Sequence, residues 1–121
     1  MNTTAFVSGV ALCLVLPACQ KATAPQWMRI TTADPGDTPA FYLDTANISR
    51  KAGTPYVILQ TRYADKRFGM IRAEANCGRR KLEPTALKET VYSEQGAVVD
   101  NRMVTMSGAD EQAVLKLACA A

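Results

Sequence analysis

The chain has 121 residues, a net charge of +3, 48% apolar residues and no histidine. A balance this mild does not by itself indicate nucleic-acid binding. Without histidine, the usual general base and the commonest metal ligand are both missing. The length suits one small domain.

In chain order, the first element is an uncharged apolar run, Ala5 to Leu16, with no side-chain charge before Lys21. It falls short of the about 20 residues that cross a bilayer, and its small-residue ending suits a removable export signal. That ending, Leu16-Pro17-Ala18-Cys19, resembles a bacterial lipobox. On this reading residues 1–18 are a lipoprotein-type signal peptide, Cys19 is the lipidation site and residues 19–26 are a polar tether. Gln20 rather than Asp follows the cysteine, which favours the outer membrane over inner-membrane retention. Two readings compete: cleavage after Ala22-Thr23-Ala24, and an apolar helix retained at the start of a cytosolic domain.

From Trp27 the period is mostly two. Trp27 to Thr31 reads as a strand closed by the turn Asp34-Pro35-Gly36-Asp37, and Phe41 to Asp44 as a second. Pro55 to Tyr63 is a third, with Val57, Leu59, Thr61 and Tyr63 on one face and Tyr56, Ile58, Gln60 and Arg62 on the other. Met70 to Cys77 alternates as cleanly, putting Ile71, Ala73, Ala75 and Cys77 on the apolar side. Pro84 interrupts Lys81 to Tyr92, of which Glu89 to Tyr92 suits a strand. Glu94-Gln95-Gly96 turns the chain into Ala97 to Asp100, which pairs back as a hairpin. Asn101 to Met106 reads as a linker or a weak strand. Ser107 to Asp110 then resembles a capping box, opening a helix from Ala109 to Cys119 with Val114, Leu115, Ala118 and Cys119 as its stripe.

If Cys13 leaves with the signal and Cys19 carries lipid, Cys77 and Cys119 remain as an even pair in an oxidising compartment. A bridge between them would close a loop of about 43 residues and contribute roughly 4 kcal/mol in the chain-entropy model. Two free buried thiols and a metal site are the alternatives; no Cys-x-x-Cys spacing supports the metal. The expected fold over residues 27–121 is α+β. It is an antiparallel β-sheet meander, with a C-terminal α-helix packed on one face and tied to it by a disulfide.

The order of features is familiar. Trp27 opens the domain, and Phe41-Tyr42-Leu43-Asp44 precedes Asn47-Ile48-Ser49. A central strand ends in Cys77, followed by Arg80, Leu82, the Tyr92-Ser93-Glu94-Gln95-Gly96-Ala97-Val98-Val99 segment and a last helix ending in Cys119. Over residues 27–119 the chain resembles the surface-adhesin protein E family of small bacterial envelope proteins. The resemblance implies an antiparallel sheet with its terminal helix disulfide-linked to the concave side, and cell adhesion through host-matrix binding. One departure is Met103-Val104-Thr105-Met106-Ser107-Gly108, which has neither the tryptophan nor the proline common there in the family.

No catalytic constellation is visible. Ser49, Ser93 and Ser107 lie in no Gly-x-Ser-x-Gly elbow, no glycine loop cradles phosphate, and Asp34 with Asp37 reads as a turn rather than a calcium site. A non-enzymatic protein without cofactor or metal is expected. Arg50-Lys51, Lys66-Arg67 and Arg79-Arg80-Lys81 sit at turns or strand ends and are the candidate ligand-binding groups. Gathered at one edge they would engage sulfated glycans, acidic matrix proteins or lipopolysaccharide; the competing reading is solvated loops. Tyr42, Tyr56 and Phe68 fit the small core better than an exposed strip.

Two functions follow. One is a surface-exposed, lipid-anchored binding module for host matrix proteins or glycans. The other is a periplasm-facing outer-membrane lipoprotein that serves an assembly of envelope proteins. Nucleic acid is not an expected partner. An edge strand offers a route to a homodimer by sheet extension, although no residue demands it.

Overall fold

The computed structural model describes residues 23–32, 38–50 and 54–120. The apolar leader, Cys13, Cys19, Asp34-Pro35-Gly36-Asp37 and Lys51 lie outside the described residues. Seven strands form one antiparallel sheet: β1 (Trp27–Arg29), β2 (Ala40–Asp44), β3 (Tyr56–Arg62), β4 (Phe68–Asn76), β5 (Lys81–Glu83), β6 (Leu87–Tyr92) and β7 (Val98–Val104). The helix α1 (Gly108–Ala118) follows. In space the strands run β1-β2-β3-β4-β6-β7, with β5 beside the far end of β4. One edge of β4 is thus shared, β6 taking Phe68 to Ile71 and β5 taking Glu74 to Asn76.

Alternation decides the two faces. Along β3 the buried residues are Val57, Leu59 and Thr61; along β4 they are Gly69, Ile71, Ala73 and Ala75. The register carries this face across the sheet in one row, Leu43 to Leu59 to Ile71 to Glu89 to Arg102. Val114, Leu115 and Ala118 of α1 close over it, joined by Met106 and Leu82. Full burial of each Leu or Val contributes about 1.5–3 kcal/mol against leaving it in water, which makes this layer the main source of stability.

The helix is fastened at several points. The Ser107 hydroxyl accepts from the Asp110 amide at 3.2 Å, forming the expected cap. The return arm of a capping box is replaced: the Asp110 carboxylate accepts from Thr31 Oγ1 at 2.8 Å. Glu111 accepts the Leu82 amide of β5 at 2.8 Å, and Gln112 donates to the Arg80 carbonyl at 3.1 Å. At the far end Cys119 is bridged to Cys77, their Cα atoms 5.7 Å apart. Cys77 lies in the exposed turn just past β4 rather than inside the strand, so the staple joins the helix to the end of the sheet.

The N-terminal edge has its own latch. The buried Asp44 carboxylate accepts from the Gln26 amide (3.1 Å), the Ala46 amide (3.1 Å) and Asn47 Nδ2 (2.8 Å), and Asn47 also reaches the Thr23 carbonyl at 2.7 Å. Elsewhere β1 stops at Arg29, and Pro84 separates β5 from β6. The weak stretch after Asp100 is strand as far as Val104. Among the described residues no helix is long and apolar enough to cross a membrane.

Candidate functional site

The face of the sheet opposite α1 carries no covering element among the described residues. It presents Tyr42, Tyr56, Phe68 and Tyr92, all half-buried, with Arg29, Arg62 and Arg72 exposed among them. These aromatics are therefore not core residues, as their apolar character suggests; strand parity places them on the outer side.

Register brings the pairs together. Arg29 lies opposite Tyr42, and Arg62 is the diagonal neighbour of Tyr42 across β2 and β3. The Arg62 guanidinium sits 3.8 Å from the Tyr42 ring centre, and Arg29 sits 5.9 Å away on the same ring. Arg72 lies 4.7 Å over Tyr56, which it meets diagonally across β3 and β4. Phe68 and Tyr92 are direct partners, stacked at 5.2 Å. The tyrosines act as seats for guanidinium groups, an attraction of about 0.5–1 kcal/mol at exposed positions. The Tyr56 hydroxyl donates to Glu74 at 2.9 Å, and that bond raises the tyrosine pKa above its ordinary value.

Arg29, Arg62, Arg72 and the neighbouring Lys88 make no salt bridge with a carboxylate among the described residues. The open face thus carries cations spread over several cross-strand rows, with Glu74 standing opposite Tyr56 beside Arg72. Arg62 is held further by Gln60, which accepts from Nε at 2.6 Å, and Arg29 by the Thr31 carbonyl at 2.7 Å.

The residues singled out by sequence are distributed differently. Arg50 donates to the Ala118 carbonyl, and to that of Leu117 at 3.3 Å, so it caps the end of α1. Lys66 and Arg67 occupy the β3–β4 hairpin, where Arg67 pairs with Asp65 at 2.7 Å. The Arg67 backbone amide, with the guanidinium behind it, holds the Asp65 carboxyl below its usual range. Arg79 and Arg80 in the β4–β5 turn and Lys81 at the start of β5 are exposed at the other end of β4, about 27 Å away by strand rise. They are not gathered into one patch with Lys66 and Arg67. Arg80 instead lines an open hollow of about 700 Å³ with Gln112, Lys116 and the Cys77–Cys119 bridge.

One charged group is enclosed on the covered face. The Glu89 side chain is 0% exposed and accepts from Thr61 Oγ1, from the Tyr63 hydroxyl at 2.7 Å and from Arg102 Nε at 3.2 Å. Gly69 makes room for it, since a Cβ there would overlap the Glu89 carboxylate and Thr61 Oγ1. Burial and the bond to Glu89 push the Tyr63 pKa up. Every partner is internal, so the cluster holds β3, β6 and β7 together and opens to no ligand.

Sequence reasoning on basic doublets overlooked Arg29, Arg62, Arg72 and Lys88. The signal that finds them is parity, which puts Arg62 with Tyr56, Ile58 and Gln60, and Arg72 with Glu74, on the side away from the apolar row. No protein-family model, no curated protein and no solved structure matches this chain.

Proposed function

We propose that this chain is a non-enzymatic binding module of the bacterial envelope, lipid-anchored through Cys19 and displayed at the outer membrane. Its ligand platform is the open sheet face, and its ligand an anionic macromolecule, with sulfated glycan the best chemical fit. The observation that carries this is the set of Arg29, Arg62 and Arg72 guanidinium groups, seated on tyrosines or beside them and left without carboxylate partners. A guanidinium presents a rigid fork of donors that matches sulfate and carboxylate oxygens, and its planar geometry loses little freedom on binding. The resemblance to the surface-adhesin protein E family supports the same class of activity.

The test is binding of the full chain to immobilised heparin over a salt series. Affinity is expected to fall with salt. The pair Arg62→Ala and Arg72→Ala together should weaken it about tenfold or more, at about 1.5–3 kcal/mol for a charge-assisted contact. Arg79→Ala with Arg80→Ala should change it much less. Loss confined to the second pair, or no binding at low salt, would overturn the platform. Biotin labelling of intact cells separates surface display from the periplasm-facing reading, in which the domain stays protected until the outer membrane is opened.

A further inference from the structure

The charge of the domain is unevenly placed. At the end where β2 and β4 finish and β3 begins, Arg50, Arg79, Arg80, Lys81 and Lys116 are all exposed, and none forms a salt bridge among the described residues. The fold draws them together from distant parts of the chain. Arg50 donates to the Ala118 carbonyl, Cys119 beside it is bonded to Cys77, and Arg79 and Arg80 follow two and three residues on. Lys116 lines with Arg80 the hollow beside the bridge. The acids of this end lie behind these cations: Asp44 is buried, and Glu74, Glu83 and Glu111 are half-buried, each accepting an internal bond. At the opposite end the β3–β4 and β6–β7 turns balance Lys66 and Arg67 against Asp65 and Glu94. The chain also enters the domain at the cationic end. Thr23, the first described residue, gives its carbonyl to Asn47 Nδ2 at 2.7 Å, three residues before Arg50. From Cys19 to Thr23 the chain makes four steps, a reach of at most about 14 Å when fully extended.

We infer that this end is a membrane-facing foot, and that its partner is the layer of lipid phosphates in the leaflet that carries the anchor; this rests on the lipidation of Cys19 proposed above. Two independent features meet in it. A tether this short holds the entry end of the domain close to the leaflet, and the exposed cations occupy that same end. Anionic headgroups attract exposed lysine and arginine within about a Debye length, about 8 Å at physiological salt. Both groups suit phosphate, arginine through its fork of donors and lysine as a point charge. Standing on this foot, the domain points its β3–β4 and β6–β7 turns away from the lipid. The open face, with Arg62 and Arg72, then stands clear of the leaflet for a ligand of its own.

Lysines at both ends report the contact directly. The full chain, expressed with its own leader, is placed on vesicles of phosphatidylcholine alone and on vesicles with about one third phosphatidylglycerol. It is then acetylated with a membrane-impermeant amine reagent and mapped by mass spectrometry. Lys81 and Lys116 should label at least about threefold more slowly on the anionic vesicles, Lys66 and Lys88 at an unchanged rate, and high salt should remove the difference. Arg79→Glu with Arg80→Glu should restore labelling of Lys81 and Lys116, with unchanged Lys66 and Lys88 reporting an intact fold. The inference fails if all four lysines slow alike or none does. It fails also if Lys88 is protected in place of Lys81 and Lys116, which would lay the open face on the lipid. Protection of that pair by soluble heparin but not by anionic vesicles would assign the end to a glycan and overturn the foot. Flotation separates the foot from the anchor. A chain without lipid leaves neutral vesicles but should still float with anionic ones at low salt; flotation with neither overturns both.

Discussion

The same strands make two unlike surfaces. On the covered face, β3 and β4 contribute Val57, Leu59, Ile71, Ala73 and Ala75, closed over by Val114, Leu115 and Ala118. On the open face, one residue further along each strand, stand Tyr56, Ile58, Arg62, Phe68 and Arg72. The covered side holds its one buried acid, Glu89, by consuming all of its bonding capacity in internal partners. The open side leaves its arginines with tyrosine faces and water. A two-residue period thus lets one strand bury an apolar layer on one side and present arginines and tyrosines to solvent on the other.

The sharpest way to break this comparison is a matched pair of truncations on β3. Leu59→Ala, fully buried, should cost about 2–5 kcal/mol in denaturant unfolding, whereas Ile58→Ala beside it should cost distinctly less, because Ile58 is only half-buried. Equal losses would mean that the open face is packed against something. Next is Gly69→Ala, where the new methyl meets the Glu89 carboxylate. About 1–3 kcal/mol of destabilisation is expected, read as a lower midpoint at unchanged slope.

A smaller effect sharpens the picture of the enclosed acid. Tyr63→Phe removes the hydroxyl that donates to Glu89 and should cost about 1–2 kcal/mol. Burial and this bond place the folded-state pKa of Tyr63 above the ordinary 10.0. The stability it contributes is therefore complete below pH 10.0 and is lost as pH rises through the folded value. Melting temperature followed above pH 10 should fall more steeply in the unmodified chain than in Tyr63→Phe. Parallel curves would remove Tyr63 from the account.

Much of this was legible in the chain, for reasons that differ by element. The alternation from Met70 to Ala75 and the Ser107 cap are local signals, and both appear as expected. The Cys77–Cys119 bridge is present as the cysteine count leads one to expect, although Cys77 stands in the turn past β4 and not on the strand's apolar face. β7 is obscure because an exposed edge strand needs no apolar alternation, so Asn101 to Met106 reads as a linker or a weak strand; it is strand as far as Val104. The aromatic residues misled by type, since Tyr42 and Phe68 suit a core in composition but occupy outward positions in register. Arg50, a ligand-binding candidate by sequence, instead caps a helix end 67 residues away, a partnership that only the folded chain can make. Glu89 did leave a trace: it sits between Leu87 and Val91 in the apolar parity of β6, where a charge requires internal partners.

The Asp44 latch and the disulfide together set how the domain would answer a pulling force. A load entering from the N-terminal side meets β1 first, three residues at the sheet edge held by their ladder and by the bonds that gather Thr23 and Gln26 to Asp44 and Asn47. Such an edge gives way a bond at a time, like a zip. Beyond it the Cys77–Cys119 bridge closes a covalent loop across 42 positions, and chain inside a closed loop adds nothing to extension. Every stretch of slack denied there, at about 3.3–3.6 Å per residue, shortens how far the domain can be drawn out under load.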